Sequence, residues 1–583
     1  MNITWRRRIA LSALVLGSIT LGSMQAYAKE KRPVIKHVLL ISIDGMHAID
    51  YLNCSAGLAS INSGKPYCPN LKALGATATN FLNAQTSRPS DSFPGLMSIM
   101  TGATPRTMGV NYDVAYDRAL NPPQTTSSNG NPGSGPTCAS SPVGTTTEYD
   151  EGIDNNKNRL DAGATGGDPT GFDAIDSDFL VRDANCDPVY PWNFVRVNTI
   201  YGVIHAARGY TAWSDKHVSY SSVGGPTGTT TNSNVDDYYG PEINSEVENF
   251  SEAPKQLLLP ECSVGGTPTL PDQTEVTANP TDDYTGSFQN IQCYDGLKAN
   301  AIINEIKGMN HNGTTKTKVP EIFGMNFQAV SIGQKLIYQY PTPSTAMVAT
   351  GYSVKGGYVD STGTPSASLT QEIEFVDTQI GAMVTELTSQ KLIDSTLIIV
   401  TAKHGQSPVD SSRYVADGSD DPATLLSSFL APSETSAIGP TEDDVALLWL
   451  ANSSDTPTAV SMLESMSPPS NNIAGIGQIF SGPSIGLFYS PTDSRAPDIL
   501  ITPNIGVTYS GSKKKLAEHG GFAHDDTNVI LLVSNPDFSE LTQTMPVQTA
   551  QIAPTILEAL RLEPSKLQAV VEEGTSELPG LDL

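Results

Sequence analysis

The chain of 583 residues carries 61 acidic and 34 basic side chains, a formal charge of −27 at pH 7. That length suits one large α/β domain with insertions, or two domains. The acidity excludes wrapping by nucleic acid, because it repels phosphate backbones, yet it leaves room for a small anionic substrate in a locally positive pocket.

Residues 1–28 read as a secretory signal. Arg6, Arg7 and Arg8 form a basic start, Ile9 to Leu21 is apolar, and Ala26-Tyr27-Ala28 is a small-x-small cleavage site. The apolar stretch is too short for stable spanning, which argues against the alternative of a membrane anchor. Removing the three arginines takes the formal charge from −27 to −30. Residues 29–583 are expected to be exported, periplasmic or secreted, with no membrane segment in the mature form.

The mature chain opens with Val38-Leu39-Leu40-Ile41-Ser42-Ile43, an apolar run that predicts a central parallel strand. It ends at Asp44-Gly45. Open α/β sheets bind ligands at the carboxyl ends of their strands, so Asp44 is placed for chemistry. Ser90-Asp91-Ser92-Phe93-Pro94-Gly95 follows, with Leu96, Ile99 and Met100 at helical spacing. A hydroxyl at a helix start suits a nucleophile, because the dipole and free N–H groups stabilise an alkoxide and a bound phosphate. The competing reading of Ser92 is a simple N-cap.

Two stretches, about 121–188 and 211–298, are rich in small, polar and turn-forming residues and predict loop insertions around a substrate rim. In the first, Asp150, Asp154, Asn156, Asn158 and Asp161 are spaced like a calcium loop. The positions of the EF-hand glycine and glutamate are Arg159 and Thr165, so a solvated acidic loop is the expectation. In the second, Trp213-Ser214-Asp215-Lys216-His217 is dense in functional groups. Lys216 and His217 are candidates for substrate binding; a loop held by its own hydrogen bonds is the equal alternative.

Ile373, Val376, Ile380, Met383 and Leu387 predict an amphipathic helix. The strand Thr396–Thr401 follows and leads into Ala402-Lys403-His404-Gly405. A further strand, Asn528–Val533, comes after Glu518-His519-Gly520-Gly521, and a helix is expected near Gln551–Leu560. His524-Asp525-Asp526 between them reads as an acidic turn, or as an added ligand or supporting carboxylate. This alternation predicts a doubly wound α/β fold, with a mostly parallel sheet and helices on both faces. Cys54, Cys68, Cys138, Cys186, Cys262 and Cys293 contain no CxxC pair, so disulfides are expected rather than a thiolate zinc site. The sequential pairing closes the shortest loops and is the expected one.

Val38–Gly45, Ser92-Phe93-Pro94, Thr101-Gly102 through Pro105 to Gly109, Lys403-His404-Gly405 and His519-Gly520 stand in the order seen in type I phosphodiesterase/nucleotide pyrophosphatases. The chain resembles that family, of the alkaline-phosphatase superfamily, over roughly residues 35 to 565. The resemblance implies the alkaline-phosphatase-like fold and hydrolysis of small phosphate esters through a covalent phospho-enzyme. It implies one or two divalent ions, zinc being expected on His ligands although the carboxylate also suits harder metals. Asp44, Ser92, His404 and His519 match metal ligands, Ser92 being also the nucleophile. Asp113 falls at or near the family's phosphate-pocket asparagine.

Two departures stand out. Lys403 replaces the Asp of the Asp-His-Gly turn, and Val330 and Gln334 replace an Asp and a His ligand. Lys403 is therefore expected to be catalytic, its ammonium stabilising developing charge in place of a lost ion. His519 is a second ligand or the general acid. The leading function is a metal-dependent phosphodiesterase or phosphatase; the alternatives are a degenerate binder without turnover and, last, a sulfatase-like esterase. The sulfatase arginine position is Leu96 here.

Overall fold

A computed structural model of the chain describes residues 33–583 apart from 124–137, 139–141, 150–174, 176, 242, 244–284, 286–287, 337–354, 418–419, 432–440, 467–474, 511–514 and 582. The signal-like segment, the calcium-like loop residues and Cys262 lie outside the described residues.

Apolar runs buried on both sides make the centre of the principal sheet. Its strands are β1 (His37–Ile43), β2 (Ala78–Phe81), β3 (Ala212–Ser214), β4 (Asp237–Tyr239), β5 (Ile322–Phe327), β6 (Thr396–Thr401), β11 (Leu532–Ser534) and β12 (Leu541–Gln543). Between β6 and β11 in the chain come β7 (Thr441–Glu442), β8 (Ala446–Leu448), β9 (Ile476–Ser481) and β10 (Ile499–Pro503), which form a separate antiparallel sheet. The principal order is β12-β2-β11-β6-β1-β5-β3-β4. Every pairing is parallel except those of β11, which runs against both β2 and β6.

Alternate residues of β1 feed two cores, as the two-residue period of a strand requires. Val38 and Leu40 pack on one face; Leu39, Ile41 and Ile43 pack on the other. Helix α1 (Ser92–Thr101) covers the first face, joined by α5 (Ile552–Ala559). Helices α2 (Phe288–Ile306), α3 (Ala329–Lys335) and α4 (Ala367–Ser389) cover the second. In α4 the predicted stripe Ile373, Val376, Ile380, Met383 and Leu387 is buried. The expected alkaline-phosphatase-like arrangement, a mostly parallel sheet with helices on both faces, is the one found.

Three local expectations differ from the structure. Residues 211–298 are not purely a loop insertion: β3 and β4 extend the principal sheet, and α2 packs behind it. Only three residues make each of those strands, too few for a periodic signal to emerge from their polar surroundings. The run Asn528–Val533 is largely irregular and becomes a strand only at Leu532–Ser534, antiparallel to β6.

The third difference is in the cysteines. Cys54 and Cys68 form a disulfide, and Cys293 is also disulfide-bonded. Cys138 and Cys186 are free thiols, and a hydrogen bond from Cys186 raises the Cys138 pKa. Short sequence separation favours closure but does not by itself form the bond.

The Cys54–Cys68 bridge closes a loop of sequence separation 14. Replacing both cysteines by serine is expected to lower the unfolding free energy by about 3 kcal/mol through loop entropy. Urea denaturation checks it; an unchanged midpoint would show that the bridge does not constrain the unfolded chain.

Candidate active site

Four neighbouring strands, β6, β1, β5 and β3, present their carboxyl ends side by side. Ser42 is in register with Thr401 of β6 and with Asn326 of β5. The residues just past those positions, Asp44, His404 and Gln328, are thereby brought to one edge. Ser214 ends β3, so Asp215 and Lys216 arrive at the same edge.

Ser92 comes from below that edge, at the first position of α1. The cap is Asp91, whose carboxylate accepts from the Phe93 N–H at 3.2 Å. The Ser92 hydroxyl is therefore released from the capping role that was its competing reading. Helix α1 ends at Gly102, in the left-handed region at φ 74°. Midway along, Gly95 lets the helix lie against the catalytic turn: a Cβ there would run into the Lys403 carbonyl oxygen.

The Ser92 hydroxyl, fully buried, meets two partners. It lies 3.1 Å from His404 Nε2 and 3.1 Å from Lys216 Nζ. His404 Nδ1 lies 2.8 Å from the Gly405 carbonyl oxygen. A carbonyl only accepts, so Nδ1 carries the proton and Nε2 of the neutral ring faces Ser92 as an acceptor. His404 Nε2 is also 3.7 Å from Asp44 Oδ2. Burial, only partly offset by Asp44, lowers the His404 pKa. Burial works against the Asp44 charge, yet Lys403 and His404 hold it well below the usual carboxylate range. Gln328 donates to Asp44 Oδ2 at 2.6 Å and Asn326 at 3.2 Å, while Oδ1 has no partner.

His519 packs against His404 with ring centroids 3.9 Å apart and the ring planes tilted by 38°. Its Nδ1 faces Asp91 Oδ1 at 3.5 Å. Burial and the neighbouring His404 hold its pKa well below the ordinary value. A neutral imidazole is a ligand or a proton acceptor, so the expectation of a general acid does not suit this environment. Burial and Asp113 raise Asp91 well above the usual range. Asp113 donates its N–H to Asp91 at 2.9 Å and is half-buried beside it.

Lys403 is engaged in an ion pair within the site. Its Nζ is 2.8 Å from Asp215 Oδ1, with both side chains 0% exposed, and 4.2 Å from the centre of the Tyr220 ring. Asp215 also accepts from the Trp213 indole at 3.0 Å and from the Lys216 backbone at 2.9 Å. The ion pair thus orients the segment from which Lys216 reaches Ser92. His217 is buried and stacks on Tyr220 at 5.8 Å and 27°.

The position of the missing Asp and His ligands is filled differently. Val330 is fully buried in the apolar core. Gln334 donates to the Gly45 carbonyl at 2.8 Å and to the Tyr358 hydroxyl at 2.7 Å, and accepts from Gln406. Gly45 sits at φ 81°, and a Cβ there would strike Gln334. Tyr358 in turn donates to Asp50, which also meets His47 at 3.0 Å. Next to Gln334, Lys335 lies 3.2 Å from Glu518, which Lys515 also contacts. Burial opposes the Glu518 charge, but the two lysines push its pKa down to about 2.

Among the described residues no three His, Cys, Asp or Glu side chains gather into a metal-binding group. The donor chemistry fits one ion once Ser92 is counted: His404 Nε2 lies 3.1 Å from the Ser92 hydroxyl and 3.7 Å from Asp44 Oδ2, and Asp44 Oδ1 has no hydrogen-bond partner. At the position of a second ion Val330 and Gln334 offer no ionised donor, which leaves His519 facing Asp91. Asp215, Asn326, Gln328 and the Gln334–Tyr358 network were not among the sequence candidates. Asp215 lay within the dense Trp213–His217 cluster, and Asn326 and Gln328 at the end of an unrecognised apolar run.

A profile of the type I phosphodiesterase/nucleotide pyrophosphatase family matches residues 38–161 and 280–525. The alkaline phosphatase PafA is structurally similar, with a TM-score of 0.51 at 14% identity, over 91% of this chain and 96% of that one. Murine ectonucleotide pyrophosphatase/phosphodiesterase 5 gives a TM-score of 0.49 at 14% identity over the same shares. No curated protein sequence matches the chain significantly. Among the described residues no helix is long and apolar enough to cross a membrane.

Two outcomes follow from the buried groups. Lys403→Met alone leaves the Asp215 carboxylate buried without its partner and is expected to cost about 3–5 kcal/mol. Lys403→Met with Asp215→Asn should recover most of that in chemical denaturation; equal losses would refute the ion-pair role. Burial disfavours both imidazolium forms, so His404 and His519 of metal-free protein should stay neutral as the pH falls through 6.5. The unfolded chain takes up those protons, so the two groups withdraw stability below that pH. NMR titration of their ring protons checks it, and a folded pKa at or above 6.5 for either ring would contradict it.

Proposed function

Because the chain belongs to the type I phosphodiesterase/nucleotide pyrophosphatase family, and is thus a phosphodiesterase-like hydrolase of phosphoric esters, we propose that Ser92 is its nucleophile and Lys216 the cation that activates it. One observation carries this reading: the Ser92 hydroxyl, at the start of α1, lies 3.1 Å from both Lys216 Nζ and His404 Nε2. An ammonium at that distance stabilises an alkoxide in a buried, low-dielectric site. The free N–H groups of the first turn of α1 add to it and receive the phosphoryl oxygens.

The Ser92 oxygen attacks phosphorus, and the bond from phosphorus to the ester's alcohol oxygen breaks. Ser92 gives up its hydroxyl proton as it attacks, the departing oxygen takes up a proton and leaves as the alcohol, and Ser92 carries the phosphoryl group. Water then attacks the phosphoserine, releases phosphate or a monoester, and restores the hydroxyl. In this reading His519, beside His404, accepts the water's proton. Asp44, Ser92 and His404 would hold a single divalent ion, which when bound supplies Lewis acidity to the hydroxyl and the ester oxygens. Lys403 acts through Asp215 as a positioning residue, holding Lys216 on Ser92. Asp113 and His217 border the site through Asp91 and Tyr220. The leader-like first 28 residues support an exported, periplasmic or secreted enzyme.

A second reading, ligand binding without turnover, is favoured by the Gln334 network in place of ionised ligands. The sulfatase-like reading lacks its arginine, since Leu96 is buried in the core.

Ser92→Ala is expected to reduce hydrolysis of aryl phosphate mono- and diesters by at least about a thousandfold, in line with loss of a covalent nucleophile. Aryl sulfate should be a poor substrate of the native protein. Metal analysis should find one bound divalent ion per chain, and chelator should suppress turnover. No turnover of any ester by metal-replete native protein would instead establish the binding reading.

A further inference from the structure

The carboxylate of Asp44 is gripped through one oxygen. Gln328 Nε2 donates to Oδ2 at 2.6 Å and Asn326 Nδ2 at 3.2 Å, while Oδ1 has no hydrogen-bond partner. Each carboxylate oxygen offers about two lone-pair sites, so the two amides fill Oδ2 and Oδ1 keeps both of its own. A solvated aspartate rotates and presents either oxygen; here the donors distinguish the two. Both amide side chains are buried, so the surrounding protein decides where they point.

Behind these amides lies a buried ion pair that the reaction itself does not use. Asp295 and Lys298 stand one turn apart on α2, with Nζ 3.1 Å from Oδ1 and both side chains 0% exposed. Each of them holds the end of β5. Lys298 Nζ donates to the Asn326 carbonyl oxygen at 2.5 Å. Asp295 Oδ2 accepts the N–H groups of Gln328 and Ala329, both at 2.7 Å. The first N–H groups of a helix have no partner within it. Gln328 occupies the cap position of α3, yet its side chain makes no capping bond. Asp295 supplies the acceptor instead, and the Gln328 amide is released toward Asp44. Burying two ions is costly, and apolar residues of similar size are often as stable. The hydrogen bonds that this pair sends out of α2 all end on residues 326 to 329, the segment that carries both amides.

We propose that Gln328 and Asn326, clamped by the Asp295–Lys298 pair, are positioning residues that occupy Asp44 Oδ2 and reserve Oδ1 for the divalent ion. The inference rests on the reading of Asp44 as a ligand of that ion. Groups that orient a metal ligand without touching the metal typically govern its affinity by about 10- to 100-fold. Ser42, two residues before Asp44, is in register with Asn326, so sheet pairing holds the ligand and its clamp at one level.

The test is calorimetric titration of the metal-free mature chain with zinc ion alone. Gln328→Met keeps the length of the side chain, removes its donor and should weaken zinc binding at least tenfold. Gln292→Met removes another buried amide of α2, one that donates to Glu372 at 2.9 Å, and should leave zinc affinity native. Native affinity in Gln328→Met, or an equal loss in both variants, would overturn the proposal. Asp295→Asn with Lys298→Met removes both buried charges together and should also weaken zinc binding. Joined to Gln328→Met, it should lose less than the product of the two separate losses, because the pair acts through that amide. A loss equal to the product refutes the clamp. Hydrogen exchange on native protein serves if the charge-free variant does not fold. Zinc should slow exchange of the Gln328 and Ala329 N–H groups more than that of Asn70 and Leu71, which Asp377 accepts in the same way on another helix; equal slowing refutes the clamp. Asp44→Ala tests the underlying reading and should abolish the zinc site. Zinc binding of native strength in Asp44→Ala would refute Asp44 as a ligand, and the proposal with it; loss there beside native affinity in Gln328→Met would refute the positioning role alone.

Discussion

The active-site edge depends on one buried ion pair. Lys403 follows β6 and Asp215 follows β3, two strands that are not adjacent in the sheet. Neither charge could be buried alone, because desolvation of a single ion costs several kcal/mol. Their contact at 2.8 Å, over the Tyr220 ring, draws the ends of both strands together. Lys216, the next residue after Asp215, then has a fixed origin from which its ammonium reaches Ser92. Where the family pattern has an aspartate, this chain places a lysine, and the lysine brings its own aspartate with it.

That exchange recasts how positive charge reaches Ser92. The environment that stabilises an anionic oxygen here combines a lysine ammonium, a helix start and a compact Asp44–Ser92–His404 donor set. The other ion position of the family pattern has become a hydrogen-bonded network of Gln334, Gln406, Tyr358, Asp50 and His47. A satisfied network of this kind is rigid and electrically neutral at its amides, and it holds the Gly45 and Gln406 backbones at the two sides of the site. Its partners come from the segment after β1, from α3, from residue 358 and from the turn after β6, so it also locks four distant parts of the chain against one another.

The apolar strands were readable because their signal is local. Val38–Ile43 and Thr396–Thr401 are continuous hydrophobic runs, and burial on both faces needs nothing else. The stripe of α4 and the start of α1 were readable for the same reason. The short strands β3 and β4 were hidden, since three polar-flanked residues carry too little period. The role of Asp91 was hidden as well: Ser92 and Asp91 are both good caps, and only the backbone geometry decides which one turns its side chain to the Phe93 N–H.

By itself the sequence determined the order of strands and turns, and with it the residues, Asp44, Ser92 and His404, that close each strand or open the helix. Those placements follow from hydrophobic periodicity and capping, which act over a few residues. Only the tertiary structure decided which lysine meets the Ser92 hydroxyl. Lys403 and Lys216 are chemically alike and lie 187 residues apart. Their assignment rests on Asp215 and Tyr220, brought to β6 by sheet pairing and aromatic packing across that separation. Charge partners are chosen by distance in space, and a linear pattern does not encode it.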